Sequence, residues 1–116
     1  MQDRFKFRAW DNKERYYIPD EETNFCHGMM EYWFDKEECP LTFEQCTGLK
    51  DKNGKLIYEG DIVTGFFNNN KVIWDKGRFC VDDGSGVFDE LAKLNEDCVI
   101  IGNIHENPEL LEENND

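Results

Sequence analysis

Serine occurs once in this chain, at Ser85, and histidine twice, at His27 and His105. A hydroxyl nucleophile with a positioned base therefore has almost no material to draw on. Gly84-Ser85-Gly86 lacks the spacing of a nucleophile elbow. It is also too short for a phosphate-cradling loop and has no lysine after it. The five cysteines, Cys26, Cys39, Cys46, Cys80 and Cys98, contain no C-x-x-C pair. Structural zinc uses tight paired spacings, and the set Cys26, His27, Cys39 and Cys46 is too loose for it. Adjacent Cys26 and His27 would point to opposite sides of a strand. Nothing in the order of residues pairs a cysteine with a histidine for thiol catalysis. Carboxylates are so abundant that neighbouring acids arise by chance and carry no acid–base signal. No catalytic residue, metal ligand or cofactor-binding residue is assigned, and no cofactor is expected.

Cations are also scarce: 13 Lys and Arg stand against 26 Asp and Glu, a formal charge of −13. Such a field repels nucleic-acid phosphates and anionic membranes. No apolar run approaches the roughly 18 residues of a membrane-spanning helix. Met1-Gln2-Asp3-Arg4 leads into alternating charge, not into the apolar core of a signal peptide. Scattered cysteines set within apolar runs suit buried thiols in a reducing cytoplasm better than a secreted disulfide framework. The expected location is the cytoplasm, with no membrane partner.

What the chain does have is aromatic and β-branched residues in short punctuated runs. Its 116 residues fit one domain, and nine Phe, four Tyr and three Trp are ample for a core. Phe5, Phe7 and Ala9 alternate with Lys6, Arg8 and Trp10, which predicts a half-exposed strand with Tyr16-Tyr17-Ile18 as its hairpin partner. Asn53-Gly54 within Asp51–Lys55 predicts a hairpin with a type I′ turn. Ile62–Phe67, Lys71–Trp74 and Arg78–Val81 follow as strands separated by Asn68-Asn69-Asn70 and Asp75-Lys76-Gly77. Phe88, Leu91 and Leu94 lie at helical spacing and predict a short helix. Cys98–Ile101 is continuously apolar and predicts a strand buried on both sides, and Asn107-Pro108-Glu109 reads as a helix start. The expected fold is mainly β, an antiparallel, SH3-like, partly open barrel with one or two short helices near the C-terminus.

Four segments in this order resemble the YopX-like family of phage and prophage proteins. They are Lys6–Asp11, Thr47–Val63, Val72–Trp74 and Val99–Leu111. The resemblance covers roughly 1–18 and 45–111. It implies a compact β-rich domain over 1–111 acting in a bacterial host, with no activity and no site residues to carry over. The segment 20–44 matches no motif and reads as an acidic insertion, and 112–116 as a frayed acidic tail. The family motifs have architectural explanations. Gly48, Gly54 and Gly60 suit turns, and Asp61 suits a turn closed by a backbone N–H.

The leading functional expectation is a non-enzymatic accessory protein that binds an unknown protein partner, host or phage, with a homo-oligomer as a further option. Aromatics flanked by charge often mark interfaces, which singles out Glu31, Tyr32, Trp33 and Phe34 together with the acidic tail. One alternative is an acidic DNA mimic. Another is weak nucleic-acid binding through Arg4, Lys6 and Arg8, where cations alternate with rings, although the global charge opposes it. An enzyme ranks last.

Overall fold

The computed structural model describes residues 6–19, 41–65 and 68–112. Among them lie nine strands: β1 (Phe7–Asp11), β2 (Tyr16–Tyr17), β3 (Leu41–Lys50), β4 (Leu56–Tyr58), β5 (Asp61–Thr64), β6 (Asn70–Asp75), β7 (Arg78–Asp82), β8 (Val87–Glu90) and β9 (Val99–Asn103). A single α-helical turn, α1 (Glu109–Glu112), follows. All pairings are antiparallel, in two sheets ordered β2-β1-β3-β4 and β8-β7-β6-β5-β9. One sheet curls into a half-barrel, so the mainly β, partly open architecture expected from the turns is the one observed. No helix among the described residues is long and apolar enough to cross a membrane.

The core forms where the curled sheet closes over the β3–β4 hairpin. Ile57, Val63, Val72, Val81, Leu91 and Cys98 are buried together there. Cys46 and Cys80 are likewise buried. Burial raises the Cys98 thiol to about 11, and the nearby Asp51 carboxylate adds to the effect, which leaves it unreactive at neutral pH.

Several local expectations are corrected. Asn53 does not adopt the positive φ that a type I′ turn demands, whereas Gly54 does, at +82°. Gly54 N–H donates to the Asp51 carbonyl and Asp51 N–H to that of Lys55, a three-residue loop ending in a glycine bulge. The two-residue type I′ turn is instead at Lys76-Gly77, both with positive φ, between the paired residues Asp75 and Arg78. Gly48 is not at a turn but inside β3, at +80°, where the register with β4 shifts.

Val87–Glu90 pairs with β7 as a strand, and only Leu91–Lys93 and Asn95–Asp97 form 3-10 turns. A seven-residue amphipathic helix is marginal alone, and the free edge of β7 offers its backbone better partners. Strand β9 is only half-buried and Ile101 is exposed, because β9 is an edge strand. Ile62 pairs with Gly102 and Val63 with Ile100, which leaves Ile101 as the bulged residue. In β1 the supposedly outward residues turn inward: Trp10 is buried and Arg8 largely so.

The hairpin is held by Asp51, itself buried. Its Oδ1 accepts from the backbone N–H groups of Asn53 and Lys55, and Oδ2 accepts from that of Ile100 in β9. One carboxylate thus shapes the turn of the first sheet and fastens it to the second. Burial alone would raise this carboxyl, but the three N–H donors outweigh it and hold Asp51 below the ordinary aspartate range. Asp51→Asn replaces one acceptor with a donor facing the Ile100 N–H, and should cost about 1–3 kcal/mol in urea unfolding at neutral pH. The ionised group contributes stability above its unfolded value, which is lost as pH falls through the lowered folded one. The native protein should therefore lose stability below pH ~4 more steeply than the variant.

Candidate functional site

Strand β1 sets Arg8 directly opposite Glu44 in β3, and Trp10 opposite Tyr17 in β2. The side-chain alternation of a strand puts Arg8 and Trp10 on one face. On the other sheet, Asp61 opens β5 and pairs with Asn103 at the end of β9, which places the following turn beside it. That turn carries His105. The Asn103 side chain shapes it by accepting from the N–H groups of His105 and Glu106, and Ile104 N–H donates to the Gly60 carbonyl.

These elements converge on one buried polar cluster. Arg8 Nε donates to Glu44 Oε1 at 2.8 Å. Its Nη2 reaches Asp61 Oδ1 at 2.8 Å and the Glu59 carbonyl at 3.2 Å. The guanidinium also lies over the rings of Tyr17 and Tyr58, 4.5 and 4.9 Å from their centroids. The Tyr17 hydroxyl donates to Glu44 Oε1, and His105 Nε2 stands 3.0 Å from Glu44 Oε2. The imidazole stacks flat on Trp10, 4.7 Å away with the planes 8° apart. Arg15 donates to the His105 carbonyl and lies over Trp10. Asp61 Oδ2 accepts from Tyr58 N–H, so Asp61 closes the turn before β5 as its sequence setting predicts.

Shape and charge both make Glu44 the pivot. A Cβ on Gly60, whose φ is +91°, would stand 2.2 Å from Glu44 Oε2, so glycine there lets the carboxylate in. Burial works to lower the Arg8 pKa, but the Asp61 and Glu44 carboxylates outweigh it and hold the guanidinium charged. Burial raises the Asp61 carboxyl despite the pull of Arg8. Burial, aided by the Glu44 carboxylate and opposed by Arg8, pushes the Tyr17 phenol far up and keeps it a donor. Trp10 Nε1 is buried with no acceptor among the described residues. The cluster holds residue types used in acid–base chemistry, yet its acidic oxygens and basic nitrogens are turned on one another. What this arrangement does is lock one sheet to the other.

Of the residues singled out from sequence, Glu31, Tyr32, Trp33, Phe34 and Arg4 lie outside the described residues, as do Cys26, His27 and Cys39. Lys6 is exposed beside β1. Arg8 does not offer a cation to a phosphate; it is engaged inside the fold. The strand β3 begins at Leu41, so 41–44 of the supposed acidic insertion pair with β1, and Glu44 is central to the cluster. Glu44 was missed because an acid within an acidic stretch looks like solvated surface. Its signal was the strand register that sets it opposite Arg8. Glu44, Asp51 and Asp61 are buried, so three acids are withdrawn from any phosphate-like surface.

A family model described as YopX protein matches residues 6–112. The crystal structure of protein EF1440 from Enterococcus faecalis is similar to this chain at 29% identity. The match covers 91% of this chain and 96% of that one, with a TM-score of 0.62. No curated protein matches.

Removing the guanidinium should expose the cost of the two carboxylates it serves. Arg8→Ala is expected to lose about 3–5 kcal/mol in denaturant unfolding, because buried partners are left uncompensated. The double variant with Glu44→Ala should lose clearly less than the sum of the single losses. Simple additivity in that cycle would show that the pair is not coupled.

Proposed function

The chain belongs to the YopX family, and from that premise we propose that it is a non-enzymatic phage or prophage accessory protein working by protein–protein contact in the bacterial cytoplasm. One observation carries the contact reading: Trp74 is 53% exposed at the end of the β6–β7 hairpin. Val72 pairs with Val81 and Trp74 with Phe79, so alternation puts all four on the core face. The row that builds the core therefore continues beyond it into solvent. Trp74 rests edge-on against Phe79, 4.8 Å between centroids, on a hairpin fixed by its two-residue turn. Single exposed apolar residues are ordinary. An aromatic pair held rigid at the rim of a core has the character of an interface anchor, since its ordering cost is met before binding.

The acidic field supports a protein partner over nucleic acid, because phosphates are repelled and Arg8 is occupied internally. The test is capture from lysate of infected or lysogenic cells on the immobilised protein, native against Trp74→Ala. The variant should keep its unfolding midpoint and bind the captured protein about 30-fold more weakly, as an anchor worth ~2 kcal/mol requires. Equal retention by both forms would discard the β6–β7 rim as the contact surface.

A further inference from the structure

Every described asparagine but one ties down its side chain. The Asn12, Asn68, Asn69, Asn70, Asn95 and Asn103 amides donate to Thr42, Asp83, Leu110, Asn68, Lys50 and Glu106 respectively. The Asn107 side chain accepts from Asn103 N–H. Asn53 is the exception: its backbone N–H bonds Asp51, while its carboxamide is exposed and has no partner among the described residues. It is also the chain's one asparagine followed by glycine. A Cβ built on Gly54 meets nothing within 4 Å, so no neighbouring group crowds that position.

We propose that Asn53 is a site of spontaneous deamidation, taking water as its co-reactant. The backbone nitrogen of Gly54 gives up its proton to solvent base and attacks the side-chain carbonyl carbon of Asn53. A new C–N bond closes a five-membered succinimide, the bond to the side-chain nitrogen breaks, and ammonia leaves. Water then opens either carbonyl of the ring and yields aspartate or isoaspartate, with no redox change. Gly favours this chemistry because no side chain hinders the attacking nitrogen. The fold opposes it through the hydrogen bond from Gly54 N–H to the Asp51 carbonyl, 2.9 Å long, which occupies that nitrogen. Reaction in the folded protein therefore proceeds through local opening of the turn and more slowly than in the unfolded chain.

The consequences reach beyond the turn. Either product adds a negative charge between Lys52 and Lys55. Isoaspartate also lengthens the main chain by one carbon between 53 and 54, which displaces the Lys55 N–H from Asp51 Oδ1. Because the same carboxylate holds Ile100 of β9, the change is transmitted to the second sheet.

The test incubates the full chain at mildly alkaline pH, folded and in urea, and maps the peptides by mass spectrometry with isoaspartate detection. The result expected is amide-to-acid conversion at Asn53 in the folded protein, slower than in urea, and absent from Asn53→Gln. The tethered asparagines should stay intact over the same period. Near-ultraviolet circular dichroism verifies that the incubated sample remains folded. An unmodified Asn53 in the folded protein, under conditions where the urea sample has fully converted, would overturn the proposal. Equal conversion at the tethered asparagines would overturn it too.

Discussion

The Glu44 carboxylate is the constraint on which the arrangement of the two sheets depends. It gathers Arg8 from β1, Tyr17 from β2 and His105 from the turn after β9, and Arg8 extends the link to Asp61 in β5. Burying a carboxylate is costly, and the cost is offset only when its oxygens meet enough donors. Here both oxygens are occupied. The cluster is thus a geometric device more than a source of net stability: sheets that slide break the Glu44–His105 and Arg8–Asp61 contacts together, while Arg8 and Tyr17 stay beside Glu44 in the first sheet. Apolar contacts tolerate small displacements, whereas charge-assisted hydrogen bonds near 2.8 Å do not.

A second carboxylate repeats the logic at the other end of β3. Asp51 organises the hairpin turn through two N–H groups and reaches Ile100 through a third. Strand β3 therefore carries an inter-sheet link at Glu44 and another just beyond its end at Asp51. Between them Gly48 lets the strand change register, so that it serves β1 along one part and β4 along the other. The apolar core lies toward the Asp51 end and the polar cluster toward the Glu44 end.

Much of the fold was legible in the sequence because turn chemistry is local. Asn53-Gly54 and Asp75-Lys76-Gly77 mark turns because strand-like runs flank them, and those runs are too short and too β-branched for helices. The turn types were less legible, because they depend on which residue takes the positive φ, and that follows from the strand register. The Phe88–Leu94 spacing suggested a helix, but spacing does not report that a neighbouring edge is free to pair. The cluster itself was readable only in pieces. Arg8, Asp61 and His105 each stood in a segment carrying the family resemblance, but nothing local says that Glu44, Asp61 and His105, which follow Arg8 by 36, 53 and 97 positions, share a carboxylate network with it. Alternation also misread Arg8 and Trp10 as outward, since the turn after β9 covers their face of the strand, with His105 stacked on Trp10 and meeting Glu44 beside Arg8.

The two clamps also bear on what the rest of the surface is free to do. With the sheets fixed by Glu44 and Asp51, neither the β6–β7 hairpin nor the loop at Asp82–Gly86 contributes a residue to either link. The hairpin keeps its shape through its own type I′ turn, and the loop through Asp82 and Asp83 accepting from the N–H groups of Gly84, Ser85 and Gly86. Ser85, then Asn68, hold the Asp83 carboxyl at about 2, so the loop keeps its charge down to strongly acidic pH. Segments that fold on their own local bonds can change side chains without disturbing the links between sheets. Trp74 sits on such a segment, so its side chain can change without touching Glu44, Asp51 or the groups they hold.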